Sequence, residues 1–87
     1  MPDFYETNAR AYFERTNRVD PAPLLTPILP YLREGCAILD IGCGSGRDLK
    51  WLKAQGFDPS GLERSPSLAV MASKHSNCPV TIGDLFE

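Results

Sequence analysis

Cysteine is scarce in this sequence and arranged for nothing obvious. Cys36, Cys43 and Cys78 are three in number and lack C-x-x-C spacing, so neither a zinc framework nor a disulfide framework is expected. All three read as reduced thiols. No apolar run approaches the roughly 20 residues a membrane helix requires. Neither sign of charge dominates: the net charge is −2 and the pI is near 5.3, which leaves no electrostatic footprint for nucleic acid. The opening "MPDFYETNAR" is mixed and acidic, unlike a secretory or transit peptide. Cytoplasmic residence is the default expectation. Internal repeats and low-complexity tracts are lacking too. What remains is an ordinary soluble composition, 43% apolar and 23% charged, in 87 residues. That length makes one small domain or part of a larger one.

Helical spacing runs from Asp3 to about Arg18, with Phe4, Ala9, Tyr12 and Phe13 sharing one side. Asp20-Pro21 reads as a second helix start, and Leu24, Leu25, Ile28, Leu29 and Leu32 supply its apolar face. Pro27 and Pro30 each remove a helix hydrogen bond, so this segment is expected to be kinked or partly 3₁₀. "CAILDI" is short and apolar, the look of a strand buried on both faces of a parallel sheet. A helix follows from Ser45 to Gln55, with Ser45 and Asp48 spaced like a capping box and Gly56 as its stop. "FDPSGLE" reads as a second strand, with Pro59 favouring an edge-proximal place. Ser65-Pro66 opens another helix, and Val80 to Ile82 forms a third strand. The succession is an α/β fold: a truncated doubly wound, Rossmann-like βαβαβ unit preceded by helices. Residues 1–35 would be cap helices and 36–87 the first half, strands 1–3, of a cofactor-binding domain. A fourth strand would normally pair with the other edge of the first. The absence of one leaves that edge unpaired, and self-association through it is a second expectation.

The chemistry concentrates in "AILDIGCGSGRDL". A dinucleotide fingerprint is G-x-G-x-x-G, whereas here Gly42, Gly44 and Gly46 give G-x-G-x-G and Arg47 takes the fingerprint's last position. Asp40 stands at the mouth of the turn, where its charge suits an ammonium better than a pyrophosphate. Backbone N–H groups at the following helix start can receive a carboxylate. Ammonium and carboxylate at one end describe an amino acid. Glu63 ends the second strand, where an acid can accept from two ribose hydroxyls. Asp84 ends the third, where an acceptor can meet an exocyclic adenine amine. Amino acid, ribose and adenine across three strand ends spell S-adenosylmethionine. The bland readings are a ligand-free βα turn for the glycines, a helix-terminus partner for Asp40, a solvated strand end for Glu63, a helix cap for Asp84, and core packing for Tyr12. The ordered trio of acids favours the ligand site.

"ILDIGCGSGRDL" resembles motif I of the class I, Rossmann-like S-adenosylmethionine-dependent methyltransferases. "GLERSPSLAVMAS" is similar to that family's second motif and "VTIGDLFE" to its third, while "FYETNARAYFERT" resembles the helix capping the cofactor in small-molecule members. The resemblance covers the whole chain. It implies that Gly42, Gly44 and Gly46 let backbone approach the methionine moiety and that Asp40 orients its ammonium, directly or through water. Glu63 would hold the ribose, and Asp84 with Leu85 would border the adenine. Arg64 and Cys43 join by adjacency, and Tyr12 and Thr16 would close over the cofactor from the first helix. The implied activity is methyl transfer to a small-molecule acceptor, with no nucleic acid or membrane partner and no metal. The chain departs from the family in length: the parts that shape the acceptor side are absent, so it is expected to be inactive alone. No general base can be assigned, and His75, beside Lys74 near a helix end where positive charge offsets the dipole, has no catalytic role. The alternatives are a non-catalytic module pairing through its strand edge, and a domain for NAD or a related dinucleotide.

Overall fold

A computed structural model describes residues 8–84. Phe4, at the start of the first expected helix, and Leu85, expected beside adenine, lie outside the described residues. The described elements are helix α1 (Ala9–Thr16), a short helix α2 (Ala22–Leu25), a 3₁₀ helix (Thr26–Tyr31), strand β1 (Ala37–Ile41), helix α3 (Arg47–Ala54), strand β2 (Asp58–Glu63), helix α4 (Pro66–Ser76) and strand β3 (Val80–Ile82). The α-helical geometry gives way to 3₁₀ at Thr26, where Pro27 follows and Pro30 lies inside the segment. Proline's missing donor produces that change, as its spacing predicts.

The three strands are all parallel, in the order β1-β2-β3. Asp40 stands level with Gly61, and Ile41 with Leu62. Right-handed crossovers between strands laid down in one direction put both connecting helices on the same face. Accordingly α3 and α4 pack on each other and on β2, and α4 reaches β3 and α1. Between helices and sheet lies a small core of Cys43, Leu49, Ala72 and Cys78, with Val80 against it.

Three expectations are corrected. First, β1 is not buried on both faces: Leu39 is 59% and Ile41 53% exposed. Both α3 and α4 pack on the opposite face of the sheet, so neither covers Leu39 and Ile41. Second, β2 is central rather than edge-proximal, with Pro59 inside it. The pairing with β3 begins only at Gly61. Asp58 and Gly61 donate to opposite neighbours, Cys36 and Pro79 respectively. By that alternation the Pro59 nitrogen faces the β3 side before β3 begins, and no ladder bond is lost. Third, no capping box forms on α3. Its N-cap is Gly46, left-handed at φ 81° and without a side-chain bond, while Asp48 pairs with Arg47 at 3.3 Å. Ser45 is one residue too early to cap. By contrast, α4 is properly capped: the Ser65 hydroxyl accepts from the Leu68 N–H at 3.2 Å, worth about 1 kcal/mol.

Candidate functional site

The carboxyl ends of the strands carry the turns, and the glycine turn is where chain and ligand space meet. Its three glycines answer three different demands. Gly42, at φ 70°, has open space where a side chain would begin. Gly44, at φ 56°, would bring a Cβ within 3.2 Å of the Tyr12 ring. Gly46, at φ 81°, is pressed against α4, and a Cβ there would lie 2.8 Å from the Ala72 carbonyl oxygen. The first opens the site, and the last is packing. Main-chain bonds fix the turn to β2 and to itself: the Gly42 N–H donates to the Leu62 carbonyl at 2.7 Å, and the Gly46 N–H to that of Cys43 at 3.0 Å.

Glu63 holds the middle of the turn. It is only 7% exposed. Its Oε1 accepts from the Gly44 N–H and its Oε2 from the Ser65 N–H, each at 2.9 Å. One buried carboxylate therefore ties the β1–α3 turn to the β2–α4 turn.

A hollow of about 290 Å³ opens at this rim. Ile41, Gly42 and Gly44 line it from the first strand end, and Leu62, Glu63 and Arg64 from the second. Gly83 and Asp84 close the β3 side, Leu68 contributes from α4, and Tyr12 from α1. Arg64 and Asp84 face each other across the mouth at 3.9 Å. The walls are half polar: an acid at the centre, an ion pair at one side, aliphatic carbon and a phenol around them. Such a surface suits a ligand with hydroxyl donors and an apolar or aromatic part.

The structure brings together Tyr12, Gly42, Gly44, Glu63, Arg64 and Asp84, and leaves other expected site residues apart from them. Asp40 lines a separate, more apolar hollow of about 160 Å³ with Leu25, Ile28, Asp48 and Leu52. The register explains it: Asp40 is level with Gly61, two positions below Glu63 on the sheet. Burial first, then the Asp48 and Glu63 carboxylates, push its pKa up to about 6, against a lowering from Arg47. Cys43 turns its side chain into the core, where burial and the Asp40 and Glu63 charges push the thiol up to about 12. Gly46 belongs to the α4 contact, as above. The Thr16 hydroxyl donates to the Tyr12 carbonyl at 2.8 Å, within its own helix. His75 lies in the last turn of α4 beside Lys74; burial and then Lys50 lower its pKa, and its ring meets Phe13 edge to face at 5.4 Å.

Four lining residues had not been singled out in the sequence. Ile41, Leu62 and Gly83 each adjoin a motif position, and strand ends next to motif residues were a usable signal. Leu68 is reached through the Ser65 cap, three residues on. Among the described residues, no group of three or more His, Cys, Asp or Glu side chains could hold a metal. No helix there is long and apolar enough to cross a membrane.

Comparison with known proteins agrees with this architecture. The family model of a methyltransferase domain matches residues 12–84, most of the chain. The chain belongs to that methyltransferase domain family. Its structure is similar to a TehB-like S-adenosylmethionine-dependent methyltransferase from Corynebacterium glutamicum, with a TM-score of 0.67 and 29% identity over 93% of this chain. It also resembles a methyltransferase from Geobacter sulfurreducens solved with S-adenosyl-L-homocysteine, with a TM-score of 0.61 and 21% identity over 87% of this chain, a likeness of fold. The chain spans 44% and 36% of those two structures. An uncharacterised protein of Schizosaccharomyces pombe, UNK4.09, is 45% identical over a 38-residue alignment, with coverage of 38% of this chain and 11% of that protein.

Proposed function

We propose that this chain carries the S-adenosylmethionine-binding side of a methyltransferase whose acceptor is a small-molecule nucleophile. The supporting observation is the convergence of Gly42, Glu63 and Asp84 on one hollow at the carboxyl ends of adjacent parallel strands, the position ligands take in open α/β sheets. The open space at Gly42 admits the methionine moiety, Glu63 takes the ribose, and Asp84 meets the adenine amine. Tyr12 covers the turn. Asp40 acts on the ammonium through water or through its field, because it stands below the rim. The cofactor brings a methyl group on a positively charged sulfur, a leaving group good enough that holding the acceptor in line supplies much of the rate.

In this reading residues 36–87 form the cofactor half and 1–35 the cap, in a cytoplasmic protein. The chain spans less than half of each of those two structures, and in this reading the purified chain is inactive alone. Methyl transfer by it to any small acceptor would refute that part. Side-by-side calorimetry with S-adenosylhomocysteine and NAD tests the ligand: the first should bind, and tighter binding of NAD would overturn the assignment.

A second reading is favoured by one observation: β1 pairs with β2 alone among the described strands. The Cys36 carbonyl and Gly42 N–H face β2, so by alternation the main-chain groups of Ala37, Leu39 and Ile41 face the open edge, beside exposed apolar side chains. Self-association through this edge would appear as a dimer in light scattering. A monomer at high concentration argues against it.

A further inference from the structure

Helix α1 has only 8 residues, too few to persist in water unless it packs on something. Its seat is α4. There the Phe13 ring meets the His75 ring edge to face at 5.4 Å, and the Arg10 Nη1 donates to the Met71 Sδ at 3.8 Å. The second contact is long and ends on sulfur, a weak acceptor. One turn beyond Phe13 on the same side of α1, the Asn17 Oδ1 is buried without a partner, which weakens the seat further. Yet α1 carries Tyr12, which lies over Gly44 and walls the larger hollow. The contact between Phe13 and His75 therefore bears much of the hold on one wall of the site.

We propose that His75 is a pH gate on that wall: its neutral ring seats α1 through Phe13, and its protonated ring releases α1 and lifts Tyr12 off the glycine turn. The charges around the ring favour release. Lys74 adjoins it on α4, and Lys50 acts on it from α3, where Lys53 is engaged with the Asn77 carbonyl at 2.7 Å. On α1, Arg10 and Glu14 pair with each other at 3.1 Å, exposed to solvent. From the sheet side β2 carries Asp58 and Glu63, and β3 carries no charge. None of these acids offsets the cations: burial first, then Lys50, holds the ring's pKa below the ordinary 6.5. A base lowered in this way stabilises the docked form fully above about pH 6.5, and that stability is lost as pH falls through the folded value. Undocking exposes the ring and lifts the burial cost, so the proton and the seated helix compete. The gate does not depend on a ligand; its effect on binding rests on the cofactor reading above.

His75 is the sole histidine of the chain, so its ring resonances follow the proton unambiguously by NMR. Amide hydrogen exchange on the full chain follows α1. The Asn17 N–H donates to the Phe13 carbonyl, and its protection reports whether α1 is seated. Corrected for the intrinsic exchange rate, that protection should fall by up to about tenfold between about pH 7.5 and about pH 5.5, with the midpoint of the ring. The Lys50 amide, which donates to the Gly46 carbonyl at the start of α3, should show no such fall. In H75F, which keeps an aromatic ring and removes the proton, the fall at Asn17 should vanish; an equal fall there overturns the gate. If H75F fails to fold, the unaltered chain decides: constant Asn17 protection, or a fall away from the ring's midpoint, overturns it. Rising protection at low pH does so too, since Phe13 would then hold the charged ring better. Adenosine, which has no group titrating in this range, tests the effect on binding. At saturation it should lower the His75 midpoint, because ligand and proton act reciprocally through one docked helix. Bound adenosine that leaves the midpoint unchanged would separate the gate from the hollow and overturn that half. Absence of adenosine binding at both pH values would overturn it together with the cofactor reading, while Asn17 exchange judges the gate separately.

Discussion

Gly42 and Gly46 look equivalent in the sequence and have nearly the same backbone angle, φ 70° and 81°, yet alanine should affect them very differently. At either position a Cβ incurs the left-handed penalty, about 1–2 kcal/mol. At Gly42 nothing lies within 4 Å of the new atom, so strain is the whole cost. At Gly46 the Cβ meets the Ala72 carbonyl oxygen at 2.8 Å and the Ala72 Cα at 3.0 Å, adding about 1–3 kcal/mol of overpacking. Gly46→Ala should therefore cost about 2–5 kcal/mol in all. Domains of this length hold about 4–13 kcal/mol, so the loss is a large fraction. Urea titration of both variants, read by far-UV circular dichroism, measures the difference, and Gly42→Ala should lie within about 2 kcal/mol of the parent. Shortening the neighbour with Ala72→Gly should rescue little, because the nearest atom is main-chain oxygen. Binding should follow the reverse order: Gly42→Ala fills ligand space and weakens S-adenosylhomocysteine without unfolding the chain. Equal stability losses at the two glycines would refute the division of labour assigned to them.

Asp40 offers a pH test. Its folded-state pKa of about 6 is above the ordinary 3.8, so the folded chain holds this proton more tightly than the unfolded one. Its contribution to stability is greatest below about pH 4 and falls as pH rises to about 6. Asp40→Asn should equal the parent near pH 4 and exceed it by about 1 kcal/mol at about pH 7.5, a figure discounted for partial solvation; no difference between the two pH values would contradict the burial argument. Gly61→Ala would set a Cβ 2.7 Å from the Cys43 Sγ and should cost about 1–3 kcal/mol. Adding Cys43→Ala should recover part of it, a coupling visible in a double-mutant cycle. Iodoacetamide at mildly alkaline pH should modify the half-buried Cys36 first, with Cys43 and Cys78 protected by the core; mass spectrometry identifies the site, and early loss of Cys43 would count against its placement.

Alternation of element types, the prolines of the 3₁₀ segment and the Ser65-Pro66 helix start were all legible from local chemistry. Each depends on a residue's own backbone preference. The misread features depend on what lies across space. "CAILDI" has the composition of a fully covered strand, but composition does not say which face the helices take. Handed crossovers put α3 and α4 together and leave Leu39 and Ile41 exposed. Pro59 argued for an edge, and only the short reach of β3 shows how a central strand tolerates it. The separate duties of Gly42, Gly44 and Gly46 are likewise tertiary, since Ala72 and Glu63 are distant in sequence. The depth of Asp40 is tertiary as well: it stands below Glu63 because the parallel register pairs it with Gly61.

The central claim is that one hollow at the strand ends, between Gly42 and Asp84, receives S-adenosylmethionine. Titrating ¹⁵N-labelled chain with S-adenosylhomocysteine tests it most directly. The amides of Gly42, Gly44, Arg64, Gly83 and Asp84 should shift together and saturate at one affinity. Shifts confined to Leu25, Ile28 and Leu52, around the smaller hollow, would contradict the account.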